Sequence, residues 1–236
     1  MMKAVAIITA RGGSKRIPRK NIRQFCGKPM IAWPIETALA SGIFDHVYVS
    51  TEDAELAEIA KEHGAEVPVF RPMELADDMA DARSAATHML QWVLDNVGYV
   101  PHLAHIYPTA PLLCVADLER GYELVSHGKQ FAYTAQRIGF PFFQAVTLDG
   151  TGSPEYFFPM EKAMMRSQDM PDFYIDAGQL YWHQTEPFLR VDRTKGAIIE
   201  IEPMRAIDID TENDWEFAEM CMQFILKNRQ ATSPDA

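Results

Sequence analysis

Residues 3–21 read KAVAIITARGGSKRIPRKN. The run from Lys3 to Thr9 is apolar at both alternate positions, which suits a central strand of a sheet covered on both faces. It ends at the pair Gly12-Gly13 and a cluster of five cations: Arg11, Lys15, Arg16, Arg19 and Lys20. In open α/β sheets, ligands bind beyond the carboxyl ends of the strands. The two glycines are expected to let the backbone turn and to present N–H groups to an anion. Arg11 and Lys15 add charge-assisted hydrogen bonds, each worth roughly 1.5–3 kcal/mol. Ser14 is expected to form the turn rather than act as a nucleophile. Residues Ala10 to Lys15 therefore read as a phosphate cradle.

The rest of the chain is acidic. Over 236 residues the formal charge is -11. General nucleic-acid binding, which needs a broad cationic face, is excluded as an expectation. So is a membrane span, because the apolar runs are too short. The positive loop must address something small. Hydrophobic residues make up 47% and charged residues 23%, enough for one sizeable core. Cys26, Cys114 and Cys221 are scattered and odd in number, so no disulfide framework is expected and a reducing cytoplasm fits.

Beyond the loop, strand and helix signals alternate. A helix is expected over Pro29–Ala40 and a strand over Asp45–Ser50. A helix capped near Ser50–Asp53 should stop at Gly64, followed by a short strand over Val67–Phe70. Further helices are expected over Ser84–Asn96 and Asp117–Ser126, with strands over Leu103–Tyr107 and Phe131–Gln136. This rhythm argues for a three-layer α/β fold with a mostly parallel sheet. His102 and His105 lie three apart on a strand, so they face opposite sides and read as structural. The rhythm breaks over 139–190, a stretch rich in Phe, Tyr, Met and Pro. That stretch reads as an excursion from a single domain covering 1–236, packing on a second subunit and walling a pocket. Phe142, Phe143, Phe157 and Phe158 are expected in the dimer core. Ala197–Ile201 resumes as a strand, a helix follows over Glu212–Lys227, and the tail RQATSPDA is expected to be loose.

Two familiar phosphate motifs are absent. Gly27-Lys28 is followed by Pro29, which breaks GxxxxGK[ST], and no GxGxxG occurs. Asp208 and Asp210 stand two apart. In an extended segment they point the same way and repel unless a cation lies between them. Mg²⁺, bound by one or two carboxylates plus phosphates, is the expected filler; solvated or helix-capping acids ahead of Thr211-Glu212 are the alternative.

RGGSKRIPRKN resembles the signature loop of the nucleotide-sugar cytidylyltransferases that make CMP-sialic acids, close to RGGSKxxxxKN. Further segments match in order. Phe70-Arg71-Pro72 with Glu74-Leu75-Ala76 resembles RPxELA, Tyr107–Pro111 (YPTAP) a QPTSP-like turn, and Ile207–Thr211 the metal-binding IDIDT segment. YPTAP and Asp176–Gln179 (DAGQ) look most like the pseudaminic acid branch. The resemblance implies a Rossmann-like fold of the nucleotide-diphospho-sugar transferase type, a homodimer, and transfer of CMP from CTP to a nonulosonic acid with release of pyrophosphate.

It also implies residue roles. Arg11 and Lys15 would hold the phosphates and Lys20 would face the α-phosphate. Asn21 would contact the nucleotide near the ribose, and Arg71 would be a nucleotide ligand. Asp208 and Asp210 would hold Mg²⁺. On local grounds alone, Lys20 and Asn21 also read as a surface helix-entry pair, and Arg71 as a surface arginine. Tyr107, Arg166, Gln168, Asp176, Gln179 and Tyr181 are expected sugar contacts. The nucleotide-contacting serine of relatives falls in DDMADARSAA, where Ser84 or a backbone group would take its place. Sialic, legionaminic or Kdo acid as acceptor, or a non-catalytic nucleotide-binding regulator, are the competing readings.

Overall fold

Strand β1 (Ala4–Thr9) is buried along its whole length. Ala4, Ala6 and Ile8 enter one apolar cluster and Val5 and Ile7 another. An apolar run without alternation is thus explained by a layer on each face. The computed structural model of the chain describes residues 2–76, 81–139, 141–190 and 195–232. After β1 and the cationic loop comes a two-residue ribbon, β2 (Gln24–Phe25) with β3 (Lys28–Pro29). It delays helix α1 to Ala32–Ser41. Strand β4 (His46–Ser50) leads into α2 (Ala54–Glu62), where Asp53 caps by accepting the Leu56 N–H at 2.9 Å. Gly64, at φ +91°, turns the chain out of that helix.

The strand expected over Val67–Phe70 is absent. Only Glu66 bridges Tyr48, and Pro68 then removes a ladder donor. Helix α3 (Ala82–Asn96) is followed by β5 (His102–Ile106), α4 (Val115–Ser126) and β6 (Phe131–Arg137).

The aromatic segment is shorter than expected as an excursion. It holds a hairpin of β7 (Val146–Leu148) and β8 (Pro154–Tyr156) and a single helical turn, α5 (Met160–Ala163). From Tyr174 the chain re-enters the main sheet as β9 (Tyr174–Gln184), eleven residues long. Phe142 and Phe143 each pack on Phe158 and Phe173, at centroid separations from 4.9 to 5.3 Å. Those phenylalanines therefore form a small core within one chain, whereas Phe157 stays 67% exposed.

The chain continues through α6 (Thr185–Leu189), β10 (Gly196–Glu200) and α7 (Glu212–Thr232). The first residues of the expected loose tail are thus helical, and 233–236 lie outside the described residues.

The six-stranded sheet has the order β10-β6-β9-β5-β1-β4. Its β10·β6, β5·β1 and β1·β4 pairs are parallel; β9 runs antiparallel to both neighbours. β9 carries a bulge: Tyr181 pairs with Tyr133, yet Asp176 pairs with Ala135. Gly178, at φ +64°, makes that turn possible, and Thr134 Oγ1 accepts the stranded Leu180 N–H at 3.2 Å. A third apolar cluster lies under the cationic loop. It joins Ile17 and Phe25 to Ile207, Ile209 and Trp215, the last on α7.

Candidate active site

Ile17, Ile207 and Ile209 are at most 9% exposed. Burying each is worth roughly 1.5–3 kcal/mol. Their shared cluster draws the loop at the end of β1 and the segment before α7 into contact. In 207–210 burial alternates: Ile207 and Ile209 point inward, while the intervening Asp208 and Asp210 keep solvent access, with their carboxyls partly covered by neighbours. The segment is extended but forms no strand. Asp210 accepts Arg16 at 2.7 Å and faces Lys20 at 3.5 Å; Lys20 also donates to the Ile209 carbonyl at 2.5 Å.

Above this contact lies a cleft of about 500 Å³. Arg11, Ser14, Lys15, Arg16, Lys20, Asn21 and Arg71 line it, opposite Asp81 and Ala82 at the start of α3 and Tyr107 to Thr109 after β5. The expected phosphate side chains are thus together. Arg19 is not among them, since its guanidinium pairs with Asp53 and Glu55 at the start of α2.

The loop backbone differs from the expectation. Ala10 is fully buried and its N–H donates to Ser50. The Gly12 N–H donates to Glu52 at 2.8 Å. Gly12 is needed because a Cβ there would meet Asp53 Oδ2 at 2.1 Å, whereas a Cβ on Gly13 would meet nothing within 4 Å. In this conformation the amides of Ala10 and Gly12 brace the loop, and the cationic side chains face the cleft.

Of the five buried side-chain polar atoms without a protein partner among the described residues, two belong to residues that line this cleft: Asn21 Oδ1 and Arg71 Nε. Asn21 Nδ2 donates to the Arg11 carbonyl at 2.8 Å, so the amide is anchored on one side and open on the other. Arg71 is fixed by Glu52 at 2.5 Å and by the Ala10 carbonyl at 3.3 Å. Both line the cleft, which removes the surface readings open from sequence alone. An unmatched buried acceptor and donor are costly unless a ligand meets them.

Asp208 has its carboxyl pushed above its ordinary value, first by partial burial and then by Asp210. Two neighbouring carboxyls, one of them disfavoured as an anion, suit a hard divalent cation that offsets their repulsion. Among the described residues no cluster of three or more such ligands converges, so the chain would supply two oxygen ligands and leave the others to phosphate and water.

A second cleft of about 440 Å³ adjoins the first and shares Tyr107 with it. The bulge on β9 builds it. Tyr181 donates to the Asp176 carboxylate at 2.9 Å, while Asp176 also accepts the Gly178 N–H at 2.8 Å. Burial, then Asp176, raises both the Tyr107 and the Tyr181 phenols above their usual value, so both stay protonated donors at neutral pH. His105 lines the same cleft and holds Thr9 of the first cleft at 2.8 Å. Burial pushes its pKa down to about 4.

Three expected sugar contacts stand apart. Gln179 is 1% exposed and its side chain reaches neither cleft; its side-chain amide donates to the Arg205 carbonyl, while its backbone carbonyl accepts the Tyr107 N–H at 2.8 Å. Arg166 and Gln168 are exposed outside both clefts, with Arg166 paired to Asp169 at 2.7 Å. In DDMADARSAA, 77–80 lie outside the described residues. The described part places Asp81 and Ala82 at the cleft, and the Ser84 N–H donates to Asp81 at 2.6 Å, capping α3. The sequence reading missed Arg16, Asp81, Arg83 and His183. Phe131 and Tyr133 alternate on β6 as Tyr181 and His183 do on β9, and that period of two was the available signal.

Comparison with known proteins agrees with this geometry. The cytidylyltransferase family profile matches residues 5–138. The chain is 37% identical over 223 residues to a pseudaminic acid cytidylyltransferase of Campylobacter jejuni, covering 93% of this chain and 96% of the relative. It is 27% identical to a CMP-N,N'-diacetyllegionaminic acid synthase of Legionella pneumophila, over 94% and 97% of the two chains. Among solved structures, a CMP:2-keto-3-deoxy-manno-octonic acid synthetase complexed with CTP superposes with a TM-score of 0.69 at 17% identity, covering 94% of this chain and 99% of that one.

Proposed function

The chain belongs to the cytidylyltransferase family and is a nucleotidyltransferase; from that premise we propose that it transfers CMP from CTP to a nonulosonic acid, pseudaminic acid being the favoured acceptor. One observation carries the reading: a cleft walled by cations meets a tyrosine-lined cleft at Tyr107. A triphosphate in the first and a polyhydroxylated acid in the second would have their reacting atoms side by side.

In the reaction the anomeric hydroxyl oxygen forms a bond to the α-phosphorus. The bond from that phosphorus to the bridging oxygen breaks, and pyrophosphate leaves. The hydroxyl proton is lost to solvent or buffer. Arg11 and Lys15 would hold the β- and γ-phosphates. Lys20, fixed by the Ile209 carbonyl, would neutralise charge developing near the α-phosphate. Asn21 Oδ1 would accept from a ribose hydroxyl and Arg71 Nε would donate to the nucleotide, matching the two orphaned atoms. Asp208 and Asp210 would hold Mg²⁺, which supplies polarisation of the α-phosphate when bound. Tyr107 and Tyr181 would donate to acceptor hydroxyls, and Asp176 would hold Tyr181 in place.

Apolar exposure on the excursion supports a homodimer. Leu148, Phe157 and Met164 are 70%, 67% and 66% exposed. Among the described residues no helix is long and apolar enough to cross a membrane, and we place the enzyme in the cytoplasm, where CTP is made available. Pyrophosphate release with CTP, Mg²⁺ and a panel of nonulosonic acids tests the function. Release with pseudaminic acid above the others is expected; no release with any acid would overturn it.

A further inference from the structure

The end of β4 holds two separate walls of the nucleotide cleft. The Ser50 carbonyl accepts the Ala10 N–H at 3.0 Å, and the Thr51 carbonyl accepts the Arg71 N–H at 2.9 Å. These backbone bonds set the course of the loop after β1 and of the Arg71 segment, but not the direction of the Arg71 guanidinium. Glu52, the next residue, does that. Its Oε2 accepts from Arg71 Nη2 at 2.5 Å, and its Oε1 accepts the Gly12 N–H at 2.8 Å. One carboxylate thus joins positions 12 and 71 directly. The Glu52 side chain is 11% exposed and that of Arg71 5%. Of the two, Arg71 lines the cleft and Glu52 does not.

A buried ion pair is weak evidence of a gain in stability, since apolar residues of similar volume often do as well. What this pair fixes is geometry. Arg71 Nη2 makes both protein contacts, to Glu52 and to the Ala10 carbonyl, and Nε makes none. The guanidinium is a rigid plane, so holding Nη2 at two points sets where Nε is aimed. The other oxygen of the same carboxylate holds the loop that carries Arg11 and Lys15. A nucleoside triphosphate meets that loop with its phosphates and Arg71 with another part, so the separation between the two must match the ligand. We propose that Glu52 is a positioning residue for the nucleotide, which acts through Arg71 and the Gly12 amide to hold guanidinium and phosphate loop at one separation. The inference rests on the proposed function, in which Arg71 is a nucleotide ligand, and adds to it a residue that touches no substrate.

The test compares wild type with Glu52→Gln, Glu52→Asp, Arg71→Met and the double variant Glu52→Gln/Arg71→Met. Calorimetry gives Kd for CTP, pyrophosphate release gives KM for each substrate, and thermal melts check each fold. Glutamine keeps the size of Glu52 but has one acceptor oxygen for two donors. Glu52→Gln should weaken CTP binding by about 10–100-fold and leave KM for the sugar acid, at saturating CTP, within about twofold. Glu52→Asp, which keeps the charge on a shorter arm, should fall between, and it carries the test if Glu52→Gln melts below the assay temperature. The double variant should bind CTP no more than about threefold more weakly than Arg71→Met, because a separation matters only while both ends are present. Fully additive losses, unchanged CTP affinity in the Glu52 variants, or equal rises in KM for both substrates would each overturn the inference. Wild type that binds no CTP would overturn the proposed function and the inference with it. CTP binding that depends on Glu52, without turnover of any sugar acid, would uphold the inference and remove the acceptor.

Discussion

Lys20 Nζ lies 3.5 Å from Asp210 Oδ1, although 190 positions separate the two residues. The pair joins the loop after the first strand to the segment before the last helix, and every chemical role argued for the first cleft depends on that junction. Lys20→Ala and Asp210→Ala are each expected to lower pyrophosphate release by roughly 100-fold or more, since each removes charge placed for the transition state. Lost ion pairing should cost only about 1 kcal/mol of stability. Activity assays paired with thermal melts check this, and near-normal turnover in either variant would remove its residue from the mechanism.

The pH dependence of stability should carry the mark of His105. Its pKa falls from 6.5 to about 4 on folding, through burial. Above pH 6.5 the imidazole is neutral in both states and contributes no slope. Below it, the unfolded chain takes up a proton that the folded one refuses, so stability declines as pH falls from 6.5 towards 4, by up to about 3 kcal/mol. Denaturant midpoints across that range should decline less steeply in His105→Gln than in wild type. Parallel profiles would show that His105 is not the group responsible.

Asp117 and Arg205 form a two-pronged ion pair at 2.5 and 3.0 Å, with Asp117 5% exposed. Removing Asp117 leaves Arg205 paired with the exposed Glu202 at 2.6 Å, at a cost of about 3 kcal/mol. Asp117→Ala should therefore lower the melting temperature by roughly 10 °C. Pairing it with Arg205→Met should recover part of the loss, because the charge then left without its partner is the exposed Glu202. A single variant that melts with wild type would show the pair to be unimportant.

Gly121 lies within α4, where Gly→Ala ordinarily gains about 1 kcal/mol. Here a Cβ would stand 2.1 Å from Trp182 Cδ1 and 2.8 Å from Ile199 Cδ1. Overpacking costs about 1–3 kcal/mol, so Gly121→Ala is expected to be destabilising on balance. A rise in melting temperature would mean that the fully buried indole can move at little cost.

Leu148→Glu combined with Phe157→Glu should convert the proposed dimer to a monomer in sedimentation, leaving the chain folded, because both side chains are exposed in the single subunit. An unchanged sedimentation coefficient relative to a dimeric wild type would locate the interface elsewhere.

Much of the layered architecture was legible in the chain. The unbroken apolar run of β1, the capping acids and the glycine stops each act over a few residues, so local chemistry suffices to read them. The aromatic stretch was legible only in part. Tyr174 to Gln184 has the alternation of a strand, but nothing in it reveals that β9 enters between β5 and β6 in the opposite direction. That placement depends on partners at least 37 residues away, as Arg137 is from Tyr174.

By itself the sequence determined the strand, the cationic loop and the acids, because charge, glycine spacing and apolar periodicity are local properties. Only the tertiary structure decided which cations face the cleft and which, like Arg19, are taken by α2. It also decided that Gly12 serves Asp53, and that the Gln179 side chain turns to the Arg205 carbonyl instead of a cleft. The reason is physical: a side chain's partners are set by which distant apolar groups must share one core. Here Ile17 is buried with Ile207 and Ile209, and Lys20 is thereby carried to Asp210.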